Sequence, residues 1–325
     1  MSPTPTEVPA PSLLTQRPTS SPAPQSQSRL RLWLRAIRYS SFTASIIPIV
    51  VGSSLALVAR SFDIGLFIVM LLASVACHAG ANLANDYFDY LKGVDTADPA
   101  GPQRVIPTGL LTASEVRNGM IVAFATATAL GFVIVWQTGW EIFVLALVSL
   151  GAAYFYTGGP KPLGYIALGE PTVFIFMGLV MVGGSYYVHT QQLSWLPIVV
   201  SLPIAFLAAA ILHANNLRDI ESDRRAGKVT LATVLGRPAA DVEYLVLVGG
   251  AFIAVTGLIA WQPRFWPTAI AGLAIPRAVQ LVMDAFAARE TPQLNRLLRK
   301  TAGLHLWLGT LLAIGLIIRA VFDRI

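Results

Sequence analysis

The sequence predicts an all-α integral membrane protein with nine transmembrane helices around a central cavity. Three observations predict it. Hydrophobic residues make up 55% of the 325-residue chain and charged residues only 12%, about half the charged share of a soluble domain. Apolar runs of near-spanning length recur nine times, each close to the roughly 20 residues that cross a bilayer as a helix. Acidic clusters stand at the ends of two of those runs, where carboxylates are costly unless they serve a site.

Residues 1–28 precede the first run and are rich in Pro, Ser, Thr and Gln with almost no charge. They cannot bury enough apolar surface to fold, so a disordered tail is expected. No apolar stretch follows a basic start, which excludes a secretory signal. Residues 29–325 form the membrane domain. Its spans are expected at 40–59, 63–86, 117–136, 141–157, 164–188, 195–216, 243–261, 266–286 and 301–320. The fourth is short and follows a tight connection. In the fifth, Gly169 and Pro171 predict a kink or break near its start. The single cysteine, Cys77, excludes an internal disulfide.

Charge sets the orientation. With the N-terminus inside, most of the 23 lysines and arginines fall on the inner side, so the positive-inside rule places the N-terminus inside and the C-terminus outside. Trp136, Trp140, Trp195, Trp261 and Trp266 then gather at the outer boundary as an aromatic belt. The net charge of +6 is accounted for by inner loops, and no nucleic-acid partner is expected. The partner is the lipid bilayer; a bacterial cytoplasmic membrane is the default location and a thylakoid membrane the alternative.

Both acidic clusters land on this inner face. The first reads Asn82-Leu83-Ala84-Asn85-Asp86-Tyr87-Phe88-Asp89, followed by Asp95. The second reads Asn215-Asn216-Leu217-Arg218-Asp219-Ile220-Glu221-Ser222-Asp223. A span, an Asn/Asp-rich end and a basic loop therefore occur twice, a weak internal repeat of the kind whose interface forms binding sites in membrane folds. On a continued helix, Asn82, Asn85, Asp86 and Asp89 share one face, as do Asn215, Asp219 and Asp223. Like charges at i,i+4 repel, and Mg²⁺ would remove that cost. This ion prefers a few carboxylates plus substrate phosphate oxygens, so the carboxylates are expected to hold Mg²⁺ against a diphosphate. Arg104, Arg218, Arg224, Arg225 and Lys228 are placed to clamp phosphate oxygens. For each of these residues taken singly, an interfacial polar role beside a loop cation remains open.

Taken together, Asn85-Asp86-Tyr87-Phe88-Asp89 with Asp95, then Arg104-Val105-Ile106-Pro107-Thr108-Gly109, then Asp219 and Asp223 resemble the UbiA superfamily of intramembrane prenyltransferases. The resemblance covers about residues 30–321 and is nearest to the 1,4-dihydroxy-2-naphthoate prenyltransferases of menaquinone and phylloquinone synthesis. Its carriers are NLANDYFDYLKGVDT at 82–96, YTGGPKPLGYIALGE at 156–170, GSYYVHT at 184–190, NNLRDIESDRRAGKVTLA at 215–232 and LLRKTAGLHLWLG at 297–309. It implies that Asp86, Asp89, Asp219 and Asp223 hold Mg²⁺ on a polyprenyl diphosphate. It further implies that an aromatic acceptor attacks the allylic cation and, in the naphthoate case, loses CO₂. No nucleophilic side chain is needed.

Several residues keep two readings. Tyr154, Tyr156, Tyr186 and Tyr187 either line the cavity and stabilise a cation through their rings or serve as packing aromatics. His78, one turn before Asn82, either meets the acceptor or orients Asn82, or is a hydrogen-bonded buried histidine. Lys161 either holds the acceptor carboxylate or anchors the inner boundary. His213 stands where many relatives carry an apolar residue. Two alternatives of function remain: a related enzyme with another acceptor (4-hydroxybenzoate, homogentisate, a porphyrin or a glyceryl phosphate) and a cation-coupled transporter. A transporter would place its charges nearer the bilayer midplane.

Overall fold

The computed structural model describes residues 28–93 and 104–323. An amphipathic helix α1 (Arg29–Ala36) leads into the first crossing, α2 (Tyr39–Val58). It is followed by α3 (Ile64–Leu91), α4 (Ala113–Thr138), the short α5 (Trp140–Phe155) and α6 (Gly169–Thr190). Next come α7 (Leu196–Arg225) and the one-turn α8 (Leu231–Leu235). The last three are α9 (Arg237–Trp261), α10 (Pro263–Ala287) and α11 (Thr291–Phe322). Eight helices are long and apolar enough to cross a membrane, and the short apolar α5 takes the place of the expected fourth crossing. Among the described residues no strand forms, and one isolated bridge pairs Ile166 with Val229. The chain is an integral, multi-pass membrane protein. The tail at 1–27 and Asp95 lie outside the described residues.

Two of the helices that outrun the bilayer carry the acidic clusters. α3 has 28 residues and α7 has 30, about 42 and 45 Å at 1.5 Å per residue, against a hydrocarbon core of about 30 Å. The surplus in each is the acidic end. Both clusters therefore stay helical and project at one boundary of the bundle.

The interior is built mainly from α2, α7 and α11, in which more than half of the apolar stretch is buried, against 17% for α3 and α4. A large apolar cluster joins these helices to α9 and α10. A smaller one ties α1 to α3, α4 and the turn around Val105 and Ile106. Close approach depends on missing side chains. A methyl group on Gly178 would come within 2.4 Å of Ala205 Cα, and one on Gly315 within 2.6 Å of Thr268 Cα. Small residues at such crossings let helix backbones touch in lipid, where van der Waals packing carries association.

The break expected near the start of the 164–188 span falls at residues 166–168, ahead of α6, and not at Pro171 itself. Pro171 stands in the first turn of α6, where no intrahelical N–H bond is due and proline is tolerated. A second irregularity lies further on: Phe174–Val180 is π-helical between α-helical flanks. A π segment re-aims side chains along one helix and is common at functional sites. Here Phe176, Met177 and Val180 form part of a cavity wall.

Candidate active site

The cavity has a volume of about 1530 Å³. Its deeper wall is apolar, with Ile49, Met70, Ile134, Leu145, Phe176 and Val188 among its members. Its polar end collects Asn82, Asn85, Asp86 and Asp89 from α3 and Asn215, Asn216, Arg218, Asp219 and Asp223 from α7. Arg38, Arg104, Tyr156 and Lys228 complete it.

Three pieces of backbone aim these groups. Arg38 occupies a left-handed conformation, φ 52°, at the corner between α1 and α2. That corner sends its guanidinium to Asp86 and to Asn85 Oδ1 at 2.9 Å. Arg104 precedes a tight turn whose Val105 and Ile106 are buried. From there it donates to Asp86 Oδ1 at 2.5 Å and to Asn85 Oδ1 at 3.2 Å. Gly227, at φ 67°, closes α7 with the amide of Lys228 on the carbonyl of Asp223 (2.8 Å) and its own amide on Arg224 (3.1 Å). This two-bond cap requires a left-handed residue, and it folds Lys228 back over Asp223, Nζ to Oδ1 3.5 Å.

One tyrosine joins the two clusters. Tyr165 donates to Asp89 Oδ1 at 2.5 Å, and its ring lies under Lys228 at 5.3 Å and Lys92 at 4.6 Å. It is held there by the bridge between the two inner loops, where Val229 N donates to Tyr165 O and Ala167 N to Val229 O. Asp89, Tyr165, Lys228 and Asp223 thus run as a chain from α3 to α7. Burial, and then the carboxylates of Glu170, Asp89 and Asp223, hold the Tyr156 phenol above its ordinary value, so its hydroxyl stays protonated among the acids. Burial lowers the Lys92 ammonium, with Asp89 opposing that shift.

The expected repulsion between carboxylates is met by protein cations. Asp86 faces Arg38 and Arg104. Asp219 is gripped by Arg218 at 2.7 and 2.6 Å, and Arg218 is itself fixed by Asn215 and Asn295. Asp89, Asp223 and Asp86 are at most 4% exposed, so each depends on such partners. Asp223 Oδ2 is buried with no hydrogen-bond partner among the described residues. Carboxylates from two helices facing one cavity, one oxygen among them orphaned, supply the oxygen ligands that a hard divalent cation takes.

The pattern of the UbiA prenyltransferase family matches residues 45–308. The chain belongs to that family. It is 32% identical over 298 residues to the 1,4-dihydroxy-2-naphthoate octaprenyltransferase of Bacillus subtilis, covering 91% of this chain and 95% of that protein. It is 31% identical over 297 residues to UbiA prenyltransferase domain-containing protein 1 of Danio rerio, covering 90% and 85%. Among solved structures, the UbiA homolog of Archaeoglobus fulgidus bound to GPP and Mg²⁺ superposes with a TM-score of 0.63 at 15% identity, covering 86% of this chain and 99% of that one. The apo UbiA homolog of Aeropyrum pernix gives 0.65 at 17%, covering 86% and 98%.

In this UbiA prenyltransferase several expected positions fall away from the cavity. Lys161 is exposed on the loop after α5 and is absent from the cavity wall. Tyr187 faces a small separate pocket. Tyr186 is packed in the main apolar core, and Tyr154 is partly exposed with Phe88 edge-on to it. Only Tyr156 of the four reaches the cavity. His78 lines the cavity but is bound on both sides, Nδ1 to Ser45 at 2.5 Å and Nε2 to Ser41 at 3.1 Å. Asn82 donates to the carbonyl of Ile37 at 2.8 Å, bracing α3 against α1. Arg38, Lys92, Tyr165 and Glu170 were not expected at the site. Tyr165 and Glu170 lie inside the quoted stretch 156–170 and Lys92 inside 82–96, which was the available signal; Arg38, one of four arginines at 29–38, carried none of its own.

Proposed function

We propose that the chain is a Mg²⁺-dependent 1,4-dihydroxy-2-naphthoate polyprenyltransferase of menaquinone or phylloquinone synthesis, with its polar end on the cytoplasmic side. The observation that carries the reading is the convergence of the α3 and α7 acids on one cavity that is polar at one end and apolar beyond it. The names of the relatives similar over nine-tenths of the chain support the naphthoate acceptor, and the basic loops at the same end support the orientation.

Asp86, Asp89, Asp219 and Asp223 would hold the cation. When bound, Mg²⁺ supplies Lewis-acid neutralisation of the diphosphate leaving group. Arg38, Arg104, Arg218 and Lys228 are placed to shift from the carboxylates to phosphate oxygens, giving charge-assisted hydrogen bonds where negative charge develops. The bond from the allylic carbon to the diphosphate oxygen breaks and its electron pair leaves with the diphosphate. The ring carbon bearing the carboxylate supplies the pair for the new carbon–carbon bond. Loss of CO₂ then returns a pair to the ring, leaving a prenylated naphthoquinol. The apolar wall excludes water that would otherwise trap the cation, and it accommodates the tail.

The test is turnover by the purified protein with Mg²⁺, geranylgeranyl diphosphate and a panel of acceptors. Product from 1,4-dihydroxy-2-naphthoate is expected. Product only from another aromatic acceptor would keep the diphosphate chemistry and overturn the naphthoate assignment. Absence of diphosphate release with every acceptor would overturn the reading as a whole.

A further inference from the structure

A second buried polar cluster stands beside the aspartates. Glu170 on α6, His213 on α7 and Glu243 on α9 bring ligand atoms within 4.8 Å of one another. Glu170 is 3% exposed and His213 fully buried. His213 Nε2 meets the carbonyl of Ala240 at 2.8 Å, and its Nδ1 meets Glu170 Oε1 at 3.2 Å and Glu243 Oε2 at 3.5 Å. Both ring nitrogens are therefore engaged, one on a backbone carbonyl and one between the two carboxyl groups. That pins the Glu170 carboxylate.

The same Glu170 oxygen accepts from Asn216 Nδ2 at 2.9 Å. An ionised carboxylate only accepts, so it selects the amide's NH₂ end and leaves the carbonyl oxygen on the other side. Asn216 lines the cavity, and among the described residues its Oδ1 takes no hydrogen bond. Asn216 also lies three and seven residues before Asp219 and Asp223, on the same helix face. We propose that Glu170, clamped by His213, is a positioning residue that turns the Asn216 carbonyl oxygen toward the cation–diphosphate complex, as a neutral oxygen beside the carboxylates. This rests on the diphosphate reading above. It assigns a purpose to two buried groups, Glu170 and His213, that the transfer chemistry itself does not use.

The test measures binding rather than turnover, so it does not depend on the acceptor. The full-length protein is titrated by calorimetry with geranylgeranyl thiodiphosphate over a range of Mg²⁺ concentrations, as wild type, Glu170→Ala, Glu170→Gln, Asn216→Ala and Glu170→Ala/Asn216→Ala. Thermal unfolding without ligand is recorded in parallel. Losing one charge-assisted hydrogen bond corresponds to about a tenfold change, so Glu170→Ala and Asn216→Ala are each expected to raise the half-saturating Mg²⁺ about tenfold. The double variant should be no worse than Asn216→Ala. Glu170→Gln keeps the volume but allows the Asn216 amide to pair either way round, and should fall between; it carries the test if Glu170→Ala does not fold. Additive losses in the double variant, or a lowered unfolding midpoint with unchanged Mg²⁺ dependence in both Glu170 variants, would overturn the proposal and make the cluster a structural brace. Wild-type protein that binds no thiodiphosphate would instead overturn the diphosphate reading beneath it.

Discussion

Asp86, Asp219 and Asp223 each face a protein cation, while Asp89 accepts from Tyr165, and this decides what single substitutions do. Asp219→Asn and Asp223→Asn remove charge while keeping shape. Each is expected to lower prenyl transfer by about 100-fold or more, the scale of losing one preorganised electrostatic contact, with little change in the amount of folded protein; steady-state rates and gel filtration in detergent would show both. Tyr165→Phe keeps the ring beneath Lys92 and Lys228 but removes the hydrogen bond to the buried Asp89. A hydrogen bond to a charged group contributes about 1.5 kcal/mol or more, so turnover should fall about tenfold and the unfolding midpoint should fall with it. The aspartates were legible because helical spacing puts them on one face. Arg38 and Tyr165 were not, since each reaches the cluster from a different element and only the folded chain shows where it points.

At the scale of elements, the apolar runs located the eight long crossings and the short apolar α5, but their ends were misjudged wherever polar residues continue a helix. α3 runs on to Leu91 and α7 to Arg225, past the expected ends at 86 and 216, because backbone hydrogen bonds continue into the interface regardless of side-chain polarity. The π segment of α6 left no such trace. Gly178, which lies within it, packs against Ala205 on α7, and that contact is a property of two helices together. Gly178→Val should therefore lower thermal stability by about 2 kcal/mol or more through overpacking, read from unfolding in detergent. Gly227→Ala should cost about 1 kcal/mol for a side chain in the left-handed region. It should also weaken prenyl diphosphate binding, because the cap that Gly227 makes places Lys228.

For the molecule as a whole, two halves meet across one cavity: α3 and α4 with their small cluster on one side, α7, α9, α10 and α11 on the other. Chain topology and a repeated motif made this meeting legible in outline, while the loops that stitch it, through Ile166 and Val229, were not. Because Arg38, Arg104, Arg218 and Lys228 already balance the acids, the bundle does not need metal to stay folded. Chelation with EDTA should abolish transfer and leave the unfolding midpoint unchanged, with activity restored by Mg²⁺. The central claim is that the α3 and α7 acids act as one site. Its most direct test follows ¹⁴CO₂ from carboxyl-labelled 1,4-dihydroxy-2-naphthoate with geranylgeranyl diphosphate and Mg²⁺, in wild type, Asp86→Ala and Asp219→Ala. Release of CO₂ with a prenylated naphthoquinol in the wild type, lost in both variants, is the predicted result. Undiminished release in either variant would contradict it.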